Sequence, residues 1–346
     1  MATFTNPNTN TRAGQNLSYA DKPWLKTYDE GVPATIDAPE LPLHHFLEVS
    51  AQRVPNNAAL VSSARLPLLG RVAASMNYKE WNDAANALAA GLIEQGLKKG
   101  DRVAIVMPNC TAFAITFYAV LKAGGVVAAT NPTYPDDRMA YQINDCGAKI
   151  VLTLTLFYQQ IKRIQPKTKL ETVIVANIKE YLPKPAKVLF TLAKEKKDGH
   201  YLAELQTGDL WFQDVLQRHA GQKPQIDVKP NDSAIFQYTG GTTGVSKAAV
   251  SQHKALVANM LQMEALLSVF NVPGQEEIYL GAIPMFHVYG LVVVVSLAAY
   301  QGAKIVLVPN ARDIADVIDQ IDHFKPTLFP GVPALYNAIN QHEDVK

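Results

Sequence analysis

From residue 78 onward the chain alternates between stretches with apolar residues at helical spacing and short, wholly apolar runs closed by Gly, Pro or Asn. Residues 78–95 place Trp81, Ala84, Ala85, Leu88 and Leu92 on one helical face and stop at Gly96. The run 102–107 (RVAIVM), bounded by Gly100-Asp101 and Pro108-Asn109, has the length and apolarity of a strand covered on both faces. A helix over 111–123 closed by Gly124-Gly125, a strand over 126–130, and a helix over 136–145 closed by Gly147 follow, then strands over 149–154 and 172–176. Strands separated by helices need crossover connections, which predicts an α/β fold of stacked αβα layers with largely parallel sheets. Upstream, a helix from Leu43 ends before Pro55, and short strands are expected at 59–62 and 75–78.

The same rhythm suggests boundaries. Residues 1–40, rich in Asn, Thr and Pro with scattered aromatics (Tyr19, Trp24, Tyr28), read as an extended arm. Residues 41–231 form a first α/β subdomain, whose last part, 177–231, breaks the alternation with Pro183, Pro185, Pro224, Pro230 and the basic run Lys194, Lys196, Lys197. That part is expected to be a solvated insertion joining two lobes; a helix over 186–197 lying on a membrane surface is the alternative. Residues 232–346 form a second subdomain. It has strands at 234–238 and 248–252 around a glycine-rich loop, a helix over 254–268, and strands at 278–283 and 304–308. A helix over 313–324, a strand at 327–329 and a helix over 333–341 complete it. A length of 346 residues exceeds what one core usually organises, in keeping with two lobes.

Composition narrows the function. Apolar residues at 48% and charged residues at 18% exclude an intrinsically disordered chain. A formal charge of +1 without a single-sign stripe argues against a nucleic-acid partner. Cys110 and Cys146 lie in apolar stretches and are expected to be buried thiols, not a disulfide framework. The N-terminus lacks the apolar core of a signal peptide. The run 288–300, interrupted by Gly290 and Ser296, is shorter than the about 20 apolar residues a bilayer span needs. The expectation is a soluble cytoplasmic protein, with a homodimer and peripheral contact with an inner membrane left open.

One segment carries most of the chemistry: Tyr238-Thr239-Gly240-Gly241-Thr242-Thr243-Gly244-Val245-Ser246-Lys247. The glycines leave no side chain to block an anion, and successive backbone N–H groups can form a nest for phosphate oxygens. Thr239, Thr242, Thr243 and Ser246 add hydroxyls and Lys247 adds a point charge, more than a tight turn requires. The spacing is not GxxxxGK[ST], since Val-Ser separates Gly244 from Lys247. It is not GxGxxG either, and no kinase HRD or DFG partner occurs.

The segment resembles the phosphate loop of the adenylate-forming superfamily, which includes acyl-CoA synthetases, luciferases and peptide-synthetase adenylation domains. The departure is Ala248, where that superfamily usually has glycine. Pro284-Met285-Phe286-His287-Val288-Tyr289-Gly290 is similar to its P-x-[FY]-H motif. Leu121-Lys122-Ala123-Gly124-Gly125 with Thr130-Asn131-Pro132-Thr133-Tyr134 is similar to an upstream structural motif, and Gly331-Val332-Pro333-Ala334-Leu335-Tyr336 to an acyl-pocket segment. The Gly240-Gly241 form of the loop and Pro23-Trp24-Leu25-Lys26 with Gly31-Val32-Pro33 resemble the bacterial long-chain fatty-acyl-CoA ligase branch. Some relatives there carry a gating tryptophan four residues after the histidine; Leu291 stands in that place here. The run Leu291 to Val295 reads equally as a wall of an alkyl tunnel or as a core helix.

The resemblance implies the N-terminal domain of an acyl-CoA synthetase-like fold and a two-step ligation. A fatty carboxylate attacks the α-phosphorus of ATP, releasing pyrophosphate, and the coenzyme A thiol then displaces AMP. Thr239, Gly240, Gly241, Thr242, Thr243, Gly244, Ser246 and Lys247 would hold the phosphates, and Thr242 or Thr243 would reach Mg²⁺. His287 is the implied catalytic residue beside the carboxylate, with Val288, Leu291, Gly331 and Val332 toward the acyl substrate. Other acyl, aryl or amino acids, or a binding module without catalysis, are the alternatives. The superfamily's adenine segment, [YF]GxTE motif, ribose-binding aspartate, hinge and lid lysine find no match up to Lys346. The expectation is therefore an N-terminal fragment without its lid, inactive alone, which fatty-acid-dependent ATP–pyrophosphate exchange by this chain would contradict.

Overall fold

The apolar runs become strands because helices cover both of their faces. The computed structural model of the chain describes residues 18–239, 246–343 and 345. Among them the strands are β1 (Ala58–Leu66), β2 (Gly70–Asn77), β3 (Arg102–Val106), β4 (Val126–Ala129), β5 (Ile150–Leu154) and β6 (Thr172–Ala176). They continue with β7 (Leu210–Trp211), β8 (Ser233–Thr239), β9 (Lys247–Gln252), β10 (Ile278–Gly281) and β11 (Lys304–Leu307). One sheet of seven runs β7-β6-β5-β3-β4-β8-β9, and one of four runs β10-β11-β1-β2. All neighbours are parallel except the hairpins β8–β9 and β1–β2.

Alternation along the strands builds the layers. Val103, Ile105 and Met107 enter a core shared with helices Tyr78–Glu94 and Thr111–Lys122, while Ala104 and Val106 pack on Met139, Ile143, Tyr158 and Ile161. In the small sheet Leu60, Tyr279 and Ile305 face the same central helices, and Val61, Leu280 and Val306 face Val317. The result is helix, sheet, helix, sheet, helix: a mixed α/β fold with parallel sheets. Local signals set the element ends. Asn77 caps helix Tyr78–Glu94 by accepting from Glu80 N at 2.8 Å, and the Glu80 carboxylate accepts from Asn77 N at 2.8 Å.

The sheets do not follow the expected division at 231/232. β8 and β9 complete the large sheet, whereas β1 and β2 join β10 and β11. Periodicity reveals that a strand exists but not which partner it takes. Residues 177–231 are also more than a connecting insertion, since β7 is an edge strand of the large sheet. Helix Phe212–Arg218 sets Val215 against Gly91 of the central helix. The expected strand at 327–329 reduces to a single bridge between Tyr279 and Leu328. Of the arm, residues 1–17 lie outside the described residues, and Tyr28 to Ile36 border a cleft with helix His253–Leu267. Cys110 and Cys146 are buried and free. Among the described residues no helix is long and apolar enough to cross a membrane.

Candidate adenylate site

Thr239 pairs with Lys247 across the β8–β9 ladder, so the glycine-rich loop closes a hairpin. Gly240, Gly241, Thr242, Thr243 and Gly244 lie outside the described residues; the two feet of the loop are described. Ser246 Oγ donates to Thr239 O at 2.8 Å, and Thr239 Oγ1 to Lys247 O at 3.4 Å. Helix Asp136–Cys146 braces both feet. Tyr141 Oη donates to Ser246 O at 3.1 Å, and Tyr238 Oη donates to Asp145 Oδ2 at 2.6 Å. Burial, reinforced by the hydrogen bond to Asp145, raises the Tyr238 phenol far above its ordinary pKa, so it stays a donor. The Thr239 and Lys247 side chains are exposed, and among the described residues Lys247 has no ion-pair partner. A cation is thus presented at the mouth of the hairpin, beside a Thr239 hydroxyl held by a long bond to Lys247 O, and an exposed ammonium fits phosphate oxygens.

His287 arrives from the other sheet. After β10 the chain crosses the end of β3, where Asn109 is buried. Its Nδ2 donates to Gly281 O and Ile283 O at 2.8 Å each, and its Oδ1 accepts from Met285 N at 2.7 Å. These three bonds fix the turn before His287. Gln237 of β8, also buried, donates to Phe286 O at 3.4 Å, which joins the hairpin strand to the His287 segment. His287 itself is exposed; its Nδ1 accepts from Tyr289 N at 3.3 Å, leaving Nε2 for a ligand. A Cβ on Gly290 would lie 2.3 Å from Pro284 O, so only glycine permits this close return. The helix then opens into a π segment, Gly290–Ser296, in which Ser296 Oγ donates to Leu291 O at 2.8 Å.

The expected acyl-side residues divide. Val288 is half-buried against the core, and Leu291 is buried with Val292, Val294 and Val295 in the cluster between the sheets. Of the two readings of this run, the described structure places it in the core. Gly331 lies under the Tyr336 ring, where a Cβ would meet the ring at 2.6 Å, and Val332 is exposed. Burial, and less strongly the nearby Tyr289 phenol, raise the Tyr336 pKa. Thr242 and Thr243, expected at the metal, lie outside the described residues. Among the described residues no group of three or more His, Cys, Asp and Glu side chains is arranged to hold a metal ion.

Sequence reasoning missed Asn109, Gln237, Tyr141 and Asp145. Asn109 follows Pro108 at the end of an apolar run, where it reads as a turn residue. Gln237 left a usable signal, a polar side chain inside an otherwise apolar strand.

Comparison with known proteins agrees with this geometry. The profile of the AMP-binding enzyme family matches residues 47–346. Long-chain-fatty-acid–CoA ligases from Bacillus subtilis and Yersinia pestis are 32% and 31% identical over 94% of this chain. The chain spans about half the length, 56%, of these curated relatives. A crystal structure of a long-chain-fatty-acid–CoA ligase from Archaeoglobus fulgidus superposes with a TM-score of 0.69 at 24% identity, covering 90% of this chain and 55% of the other. An anthranilate CoA ligase in complex with anthranoyl-AMP gives 0.71 at 22%, covering 88% and 52%. With the loop hairpin and the histidine turn in one place and the family profile running through both, this chain belongs to the AMP-binding enzyme family.

Proposed function

We propose that this chain carries the phosphate-loop and histidine portion of an AMP-forming fatty-acid–CoA ligase. The observation that carries the reading is the Gln237–Phe286 contact, which joins the loop hairpin of one sheet to the His287 turn of the other. Relatives named long-chain-fatty-acid–CoA ligase, about a third identical along nearly the whole chain, support the fatty-acid class.

Attack of a carboxylate on phosphorus brings two anions together, so the protein's task is orientation and charge neutralisation. Lys247 holds phosphate oxygens from one side, joined by the hydroxyls of Thr239 and Ser246 once they turn away from Lys247 O and Thr239 O. His287 Nε2, set by the Tyr289 N–H on Nδ1, orients the carboxylate and the α-phosphate from the other. Thr242 or Thr243 would contact a Mg²⁺ ion accompanying the triphosphate, which would add charge neutralisation. Val288, Gly331 and Val332 border the acyl side.

The test is thermal-shift and calorimetric titration of the chain with ATP·Mg²⁺, with a non-hydrolysable dodecanoyl-adenylate analogue, and with its benzoyl and aminoacyl counterparts. The dodecanoyl analogue is expected to bind most tightly, and Lys247→Ala or His287→Ala to weaken it about tenfold or more. Preference for the benzoyl or aminoacyl analogue would move the substrate class. Absence of saturable binding to any of them would overturn the reading.

A further inference from the structure

Helix Asp136–Cys146, which braces the β8–β9 hairpin, turns Met139, Ile143 and Cys146 into an apolar core of the large sheet. One long polar side chain shares that buried face. Gln142 is 1% exposed, and its amide is used unevenly. The donor end faces the foot of the glycine-rich loop, with Nε2 3.5 Å from Ser246 Oγ. The acceptor end, Oε1, is buried and receives no hydrogen bond among the described residues. The backbone around it is held in place. Gln142 O accepts from Tyr238 Oη at 3.1 Å, and the neighbouring Tyr141 Oη donates to Ser246 O at 3.1 Å.

A buried acceptor without a donor destabilises a fold, and a leucine or methionine of similar size would avoid that burden. With the acceptor idle, the use of the residue lies at its donor end. Gln320 supplies the contrast. Its Oε1 is likewise buried and unpartnered, but its Nε2 donates to Asp316 Oδ2 at 2.7 Å, a carboxylate that also pairs with Arg71. That amide serves an ion pair, whereas the Gln142 donor meets only a serine hydroxyl.

The Ser246 hydroxyl carries one proton, which it gives to Thr239 O at 2.8 Å. Gln142 Nε2 can only donate, so its approach occupies a lone pair of Ser246 Oγ and commits the hydroxyl proton to another acceptor. Thr239 is exposed, so water can satisfy its carbonyl when that proton turns to a phosphate oxygen. A hydroxyl that accepts from an amide while donating to an anion makes the stronger bond to the anion.

We propose that Gln142 is a positioning residue for the phosphate loop, closing from 3.5 Å onto Ser246 Oγ and directing the Ser246 hydroxyl to the triphosphate. The inference rests on the ligase reading above, since it requires a triphosphate at this loop.

Calorimetric titration of the full chain with ATP·Mg²⁺ and with the dodecanoyl-adenylate analogue tests it, together with thermal unfolding. Gln142→Leu is expected to weaken ATP·Mg²⁺ about tenfold, and the adenylate, which offers one phosphate in place of three, less than about threefold. Its unfolding midpoint should stay in place or rise, because the orphaned acceptor is gone. Gln142→Met, unbranched like glutamine, is expected to behave in the same way and covers the case in which the leucine variant folds poorly. In a Ser246→Ala background Gln142→Leu should weaken ATP·Mg²⁺ no further, because its effect passes through that hydroxyl. A purely structural role predicts a different pattern, a lowered midpoint with equal losses for both ligands. That pattern, an unchanged ATP·Mg²⁺ affinity, or losses that add in the double variant would each overturn the proposal. No saturable ATP·Mg²⁺ binding by the unaltered chain would instead remove the phosphate-loop reading, and this inference with it.

Discussion

Hairpin β8–β9 and the turn carrying His287 meet at one place but are anchored differently. The hairpin is held by hydrogen bonds at its partly solvated rim, from Ser246 to Thr239, from Tyr141 to Ser246 and from Tyr238 to Asp145. The His287 turn hangs on Asn109, whose amide is buried and makes three bonds to backbone groups. Water can replace part of a rim hydrogen bond, so each contributes about 0.5–1.5 kcal/mol, whereas a buried group left unpaired costs about 1–3 kcal/mol. The difference teaches where the site can adjust: the hairpin side rests on replaceable contacts, and the histidine side is fixed from the dry interior.

The largest effect should come from Asn109→Ala, which orphans Ile283 O and Met285 N and leaves Gly281 O with Val308 N as its remaining donor. We expect a loss on the order of 3–5 kcal/mol in denaturant unfolding. A loss below about 1 kcal/mol would mean that the turn is held elsewhere and would erase the contrast. Gly290→Ala comes next, because its methyl would collide with Pro284 O and the turn must shift. About 2–3 kcal/mol of destabilisation is expected, with weaker binding of the adenylate analogue, read by thermal unfolding and calorimetry.

The third prediction concerns the base of the hairpin, where the rim rule should fail. His253 follows β9, is buried, and its Nδ1 accepts from Leu43 N at 3.1 Å. Burial lowers its pKa from 6.5 to about 4, and burial followed by the Lys122 charge lowers that of His44 to about 3. The unfolded chain therefore takes up protons below pH 6.5 that the native state refuses. Stability is full above that pH and falls as pH drops from 6.5 toward 4. For His253 the loss at pH 5 is on the order of 1–2 kcal/mol. His253→Gln should flatten unfolding free energy against pH across that window; an unchanged slope would remove His253 from the explanation. The smallest effect is expected at the rim, where Tyr238→Phe should cost about 0.5–1.5 kcal/mol in thermal unfolding. A cost matching that of Asn109→Ala would collapse the distinction between the two anchors.

Much of this arrangement was legible from residues. The runs at 102–107, 126–130, 149–154 and 172–176 announce strands because their apolarity is continuous and Gly, Pro or Asn closes them. The loop stands out because hydroxyls, glycines and a lysine at that spacing exceed what a turn needs, whereas His287 stands out only through the resemblance of its motif to the superfamily's. Pairing was not legible. Nothing along β1 indicates β11 as its neighbour, since that contact arises only when the chain crosses back after some 240 residues. The short edge strand β7, the π opening after Gly290 and the Asn109 clamp were equally silent, each depending on partners distant in sequence or on hydrogen bonding that side-chain periodicity does not encode.

The central claim is that two sheets contribute to one site, and a double-mutant cycle addresses it directly. Affinity for the dodecanoyl-adenylate analogue would be measured by calorimetry for the chain, Lys247→Ala, His287→Ala and the double variant. A shared site predicts a coupling energy of about 1 kcal/mol or more between the two changes. Losses that add within about 0.5 kcal/mol would show that the hairpin and the histidine turn act independently, contradicting a single site.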